Sequence, residues 1–285
     1  MRKLSIGFFF GLLSMIIVCS AGAEVIIIPQ SALIPSTTYY TDSLGDAVAW
    51  SGGSPRTSDP IRNDDAFRGP IALGFSLNFY GNDYTSFFAN NNGNISFNGG
   101  ISAFTPTGPQ GASQPIISPF FADVDTRNTA SGLMYLRIDP EQIIVTWDQV
   151  GYYGSHADKL DSFQLVLRSS DYAVPAGEGQ IGFFWKTMGW ETGDASGGSG
   201  GFGGTPAAVG FGDGLSNGFI LAGSTENGIS RVVQNHRLWF NLSAEGGEPE
   251  LPPDGGGTSV PEPATLLLMG IGLVGLGTIR RFMLR

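Results

Sequence analysis

The chain has 285 residues with 25 acidic and 15 basic side chains, a formal charge of −10. Five of the basic residues (Arg2, Lys3, Arg280, Arg281, Arg285) sit at the two ends, so the rest is strongly acidic and would repel phosphate backbones, which argues against nucleic acid as a partner. The single cysteine, Cys19, lies among the first 23 residues, so beyond it disulfide staples, thiolate catalysis and cysteine metal sites are excluded.

Residues 1–23 read as a signal peptide. Met1, Arg2 and Lys3 form a positive start, residues 4–18 are an almost unbroken apolar run, and Ala21-Gly22-Ala23 supplies the small-x-small pattern that signal peptidase accepts. The cut is expected between Ala23 and Glu24. The run is short for a spanning helix, which needs about 20 apolar residues. Val18 fits poorly before a lipidated cysteine, which argues against a lipid on Cys19.

Residues 24–70 are irregular, with scattered Asp, Ser, Pro and Arg, and read as an N-terminal strand and loops. From Ile71 to residue 244 period-two alternation takes over. Leu73, Phe75, Leu77 and Phe79 alternate with smaller residues, as do Ile143, Val145 and Trp147, then Phe163, Leu165 and Leu167, then Ile181, Phe183 and Trp185, then Leu238, Phe240 and Leu242. No window between the two ends carries a helical apolar stripe. The expected fold is all-β, a β-sandwich with long loops and at most short helices, flanked by an N-terminal signal helix and a C-terminal transmembrane helix.

Within this module the densest signature is the glycine-rich stretch 190–214, which opens Trp190-Glu191-Thr192-Gly193-Asp194 and ends Gly210-Phe211-Gly212-Asp213-Gly214. It is preceded by Asn92-Gly93-Asn94-Ile95-Ser96-Phe97, by Ile117-Ser118-Pro119-Phe120-Phe121-Ala122-Asp123-Val124-Asp125, by Trp147 and by Phe163-Gln164, and followed by Leu221-Ala222-Gly223-Ser224. In that order these segments resemble the NIDO module, the extracellular domain named from nidogen, over roughly residues 78–242. One departure is that Asn235-His236-Arg237-Leu238-Trp239-Phe240 lacks the glycine that the family places before the tryptophan. The resemblance implies an adhesive or matrix context and no catalytic activity.

Several local motifs have blander readings. Residues 198–203 match G-x-G-x-x-G and residues 197–201 match G-x-S-x-G, but neither is followed by a helical pattern, and the glycine content alone accounts for both. His156 and His236 stand in no metal or triad spacing. Asp123 and Asp125, two residues apart, would share a face of a strand, where repulsion favours a shared calcium ion, the one cofactor suggested, or neutralisation by Arg127. Tyr39-Tyr40 and Tyr152-Tyr153 are either sugar-stacking platforms or ordinary sheet packing. Asn94-Ile95-Ser96 and Asn241-Leu242-Ser243 match the N-glycosylation acceptor pattern and are read as chance.

Residues 245–259 form a Gly, Pro and acidic linker with almost nothing apolar to bury. Residues 260–285 then carry Val260-Pro261-Glu262-Pro263, an apolar run over 264–279 read as a transmembrane helix, and Arg280-Arg281 with a last Arg285. Sixteen helical residues span about 24 Å, marginal for a hydrocarbon core of about 30 Å, which suits a transient stay. The arginines hold the body on the outer face of the inner membrane. This order of motif, apolar run and basic end resembles the PEP-CTERM sorting signal. The resemblance implies recognition of Pro261, Glu262 and Pro263 by an exosortase in a Gram-negative bacterium that makes exopolysaccharide.

Together these readings predict an exported, non-enzymatic surface or extracellular-matrix protein, whose precursor rests in the inner membrane facing the periplasm and whose mature form is at the cell surface or secreted. Signal peptidase and exosortase are its processing partners, and exopolysaccharide or another matrix protein its candidate ligand. The alternatives are a lectin-like carbohydrate-binding module and, more weakly, a secreted hydrolase working through Asp123 and Asp125.

Overall fold

The computed structural model describes residues 25–54, 57–108, 110–242 and 249–250. In chain order the strands are β1 (Val25–Ile28), β2 (Ile34–Pro35), β3 (Asp46–Ala47), β4 (Gly52–Ser54), β5 (Asp65–Phe79), β6 (Asn82–Asn90), β7 (Asn94–Ser96), β8 (Ile116–Phe121) and β9 (Val124–Asp125). They continue with β10 (Leu133–Asp139), β11 (Gln142–Tyr152), β12 (His156–Arg168), β13 (Ile181–Met188), β14 (Ala208–Gly212), β15 (Gly218–Leu221), β16 (His236–Leu242) and β17 (Pro249–Glu250). One α-helix, α1 (Ile229–Val233), and two single 3₁₀ turns are the helical content of the described residues. The all-β expectation therefore holds for the body. Among the described residues no helix is long and apolar enough to cross a membrane, and the expected signal and sorting helices lie outside them.

Two sheets form, the first in the order β1-β15-β14-β8-β7-β6-β5-β4 and the second in the order β17-β16-β13-β12-β11-β10-β3, with β2 beside β16 and β9 beside β11. Pairing is antiparallel except between β1 and β15. Period-two alternation points Ile143, Val145 and Trp147 of β11 and Phe163, Leu165 and Leu167 of β12 toward Leu73, Phe79, Ile117 and Phe211 of the first sheet, in one core cluster. Across the layers Phe163 lies 5.6 Å from Phe120, and within its own sheet it stacks on Trp147 at 4.9 Å. The Trp185 Nε1–H crosses to donate to the Pro119 carbonyl at 2.9 Å.

The intervening residues of β11 and β12 are also buried, because the second sheet is covered on its outer face. Ile144, Val166, Phe184 and Trp239 pack there with Tyr40. The segment carrying Tyr40 is fixed by the Gln164 amide, which donates to the Thr41 carbonyl at 3.1 Å and accepts from the Thr41 N–H at 3.2 Å. Burial on two faces is why β11 reads as a nearly continuous apolar run.

The first strand of regular alternation, β5, starts at Asp65, ahead of Ile71. After β8 the chain leaves the first sheet, and with β9 it joins the second beside β11. Ala122 and Asp123 make that crossing.

Phe163→Ala should remove the ring that joins the layers and lower unfolding stability by about 3–5 kcal/mol, as large core truncations do. Leu215→Ala, at a side chain 87% exposed, should stay within about 0.5 kcal/mol. Urea denaturation of both variants checks the pair.

Candidate acidic site at the crossing between the sheets

Three segments bring carboxylates together where the chain changes sheets. Asp64 and Asp65 stand at the start of β5, and Asp123 lies on the crossing after β8. One oxygen from each lies within 4.8 Å of the other two. Asp123 is 1% exposed and Asp64 2% exposed. Both carboxylate oxygens of Asp123 and Oδ1 of Asp64 lack a hydrogen-bond partner among the described residues.

The turn between β6 and β7 closes the site. Gly93 takes φ of +74° there, and an added Cβ would meet the Phe120 carbonyl at 1.8 Å, so the turn fits against β8 only with glycine. The Asn91 side-chain amide donates to the backbone carbonyls of Asp64 and Val124, and the Asn91 backbone carbonyl accepts the Trp147 Nε1–H at 2.9 Å. The Asn92 Nδ2 donates to Asp65 Oδ1 at 2.8 Å. The side-chain oxygens of Asn91 and Asn92 are buried without a partner among the described residues.

Arg127 brings one guanidinium to this acidity. Its Nη2 lies 2.9 Å from Asp64 and 2.5 Å from Asp125, and its Nε donates to Asp125 at 2.9 Å. Asp125 also accepts the N–H groups of Arg127 at 2.9 Å and Ser155 at 2.7 Å, so it is committed to the salt bridge. Asp123 turns instead toward Asp64 and Asp65. Burial, then the neighbouring carboxylates, push Asp123 up to about 9. Burial, then Asp125 and Asp65, push Asp64 up to about 7, against the lowering effect of Arg127.

The glycine-rich stretch packs over Asp123. A Cβ on Gly193 would lie 2.4 Å from both Cβ and Oδ2 of Asp123. The loop is pinned by Gly201, whose carbonyl accepts the N–H groups of Glu191 at 2.8 Å and Thr192 at 3.1 Å. The Glu191 carboxylate then receives Gly228 N–H at 2.8 Å and Ser230 Oγ at 2.8 Å, which ties the stem to the start of α1.

The model of the NIDO-related family matches residues 39–237, more than half of the chain, and a PEP-CTERM protein-sorting motif matches residues 259–281. The chain belongs to the NIDO-related family. Similar proteins include alpha-tectorin from Gallus gallus, 31% identical over 213 residues that make up 63% of this chain and 10% of the tectorin. Alpha-tectorin from Mus musculus is 34% identical over 60% of this chain and 9% of its own length. Nidogen from Drosophila melanogaster is 25% identical over 48% of this chain and 12% of its own. This chain thus spans about a tenth of these relatives. No solved structure shows a significant match.

Within the NIDO-related domain the remaining sequence candidates fall as follows. His156 stacks on Tyr152 at 4.7 Å with Asp194 3.6 Å away, and the His236 ring meets the Gln234 carbonyl at 2.8 Å. Tyr39 is buried with its hydroxyl donating to Asp148 at 2.7 Å, Tyr40 packs on Phe184 and Trp239, and Tyr152 is 1% exposed, so these three are packing residues; Tyr153 is 37% exposed. Asn94 is fully buried, with Nδ2 donating to the Asn92 carbonyl, and offers no glycan acceptor. The glycine-rich stretch leads into strand β14, not a helix. Ala21, Ala23, Glu24, Pro261, Glu262, Pro263, Arg280 and Arg281 lie outside the described residues. Asp64, Asp65 and Asn91 were not singled out by the sequence, and Asn92 only as part of a family-like segment, although Asn63-Asp64-Asp65 and the run of asparagines at 90–92 are visible there as polar clusters flanked by apolar strands.

Gly193→Ala should force the loop away from Asp123 and destabilise the domain by about 1–3 kcal/mol, the usual cost of overpacking. Gly99→Ala, where an added Cβ has nothing within 4 Å, should be close to neutral in the same melting experiment.

A second expectation concerns Asp161, which is fully buried and accepts Gly189 N–H at 2.6 Å and Trp190 N–H at 3.1 Å. Burial raises its carboxyl well above the ordinary 3.8, the two N–H groups oppose this, and Glu191 adds to it. A raised folded value means that its contribution to stability is full below the unfolded value and is lost as pH rises toward the folded one. Asp161→Asn should therefore flatten the fall in melting temperature as pH rises above the ordinary carboxyl value of 3.8, relative to the parent. An unchanged slope would show that other groups set it.

Proposed function

We propose that this protein is a non-enzymatic structural or adhesive component of the extracellular polymer matrix, exported through residues 1–23 and sorted at its C-terminus. The observation that carries this reading is the joining of a NIDO-related domain at 39–237 to a PEP-CTERM motif at 259–281 in one chain. The motif supports an exported surface protein processed by an exosortase, and the domain supplies a cysteine-free sandwich whose rigidity comes from core burial. Signal peptidase first releases the chain after Ala23. The apolar run at 264–279 then parks it in the inner membrane, facing the periplasm, until Pro261-Glu262-Pro263 is read. Exopolysaccharide or a second matrix protein is the partner this route brings it to.

A lectin-like reading is favoured by one surface depression, lined by Tyr80, Asn82, Asp83, Tyr84, Asn98 and Gln114 among others. Aromatic rings beside amide and carboxylate groups suit a sugar, which offers an apolar ring face and hydroxyls. A glycan array decides between the two: specific retention that Tyr84→Ala abolishes selects the lectin.

Replacing Pro261 and Glu262 by alanine should leave export across the inner membrane intact and block C-terminal processing, so that precursor accumulates in the inner membrane. Intact-mass analysis of fractionated cells reads both ends at once, with Glu24 as the expected first residue. Normal surface delivery of the variant would remove the motif from the sorting step.

A further inference from the structure

We propose that Asp64, Asp65 and Asp123 form a binding site for one calcium ion, which staples the start of β5 to the crossing between the sheets. Oxygens that share a calcium ion at about 2.3–2.6 Å lie up to about 5 Å apart, and the three carboxylate oxygens here fall within 4.8 Å of one another. All donors are hard oxygens, the type that calcium selects.

The independent observation is Asp123. A carboxylate 1% exposed ordinarily has partners, because burying one without them costs several kcal/mol. Among the described residues both Asp123 oxygens lack a partner, as does Asp64 Oδ1, while the Asn92 Nδ2 stands at hydrogen-bond distance from Asp65 with the Asn92 Oδ1 unpartnered and buried. The site therefore presents buried, unpartnered carboxylate oxygens to one place. Arg127 does not meet this demand, because its guanidinium is spent on Asp125 and on the other oxygen of Asp64.

Magnesium fits less well. It dehydrates reluctantly and usually keeps several waters on one or two carboxylates, whereas here Asp64 and Asp123 are closed off by the Asn91–Asn92 turn and by Gly193 of the glycine-rich loop. An ion at this point would join segments about 60 residues apart in sequence and brace the loop over Asp123. Extracellular modules bind calcium at about 10⁻⁴–10⁻³ M, the range in which such a brace would respond to the medium.

The test is equilibrium dialysis of the purified full-length chain against calcium chloride, with bound metal measured by elemental analysis, beside melting curves in calcium, magnesium and chelator. One calcium per chain is expected, with a rise in melting temperature of about 5–10 °C when calcium is about 100 times its Kd. Asp123→Asn and Asp65→Asn should each abolish the bound metal and the rise, and Asp158→Asn, at an exposed position, should keep both. Should Asp123→Asn fail to fold, the half-buried Asp65 decides alone. No bound calcium, an equal rise with magnesium, or a rise that survives Asp65→Asn would overturn the assignment.

Discussion

The double grip of Arg127 on Asp64 and Asp125 is the interaction on which this end of the sandwich depends. The chain must leave the first sheet after β8 and enter the second at β9, and no disulfide is present to hold the corner. The guanidinium reaches back to the residue before β5 at 2.9 Å and to β9 at 2.5 Å, so it joins one sheet to the other. The hydrogen bond to Asp125, which favours the charged form, together with the two carboxylates raises Arg127 further above its usual range against the opposing effect of burial. Removing Arg127 would leave Asp125, fully buried, with the Ser155 and residue-127 backbone donors alone, the situation in which breaking a buried pair is most damaging.

A similar solution appears at the far side of the second sheet. Arg168 is fully buried, and its charge is met by Glu178 at 2.6 Å, by the Gln142 side chain and the Gly179 carbonyl, and by the rings of Tyr172 and Trp239 at 4.4 and 4.5 Å. Here each of the three guanidinium nitrogens donates, and the group lies against aromatic faces that carry complementary charge. The contrast with Asp123 is physical: Arg168 is a completed network, whereas Asp123 is buried with open valence.

Much of the fold was legible because alternation is local. The sets beginning at Leu73, Ile143, Phe163, Ile181 and Leu238 all occur in strands that feed the common core. The outer cover of the second sheet was not, since Tyr40 meets Phe184 and Trp239 only after long-range pairing has assembled them. For the acidic site the limit is sharper. Asp123 and Asp125 were compared as strand neighbours sharing a face, but β8 ends at Phe121, so the two-residue period does not run through Asp123. The ion pair of Asp125 with Arg127 was legible from spacing, while the approach of Asp64 and Asp65 rests on where β5 starts beside β6 and how the chain then crosses the sheets.

The glycine-rich stretch shows how such composition becomes order. Glycine loses more backbone freedom than any other residue when fixed, so a run of them must be held by contacts that a side chain would forbid. Gly193 lies against Asp123, and the added Cβ of Gly201 would sit 2.8 Å from the Trp190 side chain. Each close approach places a backbone N–H or carbonyl where a partner waits, as at Gly201 with Glu191 and Thr192. At the closing turn the left-handed position is taken by Asn235 with φ of +58°, and asparagine is among the non-glycine residues that tolerate it best. The chain then enters β16 and returns Leu238 and Phe240 to the core. Asn235 thus turns the chain into β16 without a glycine, and the sandwich closes.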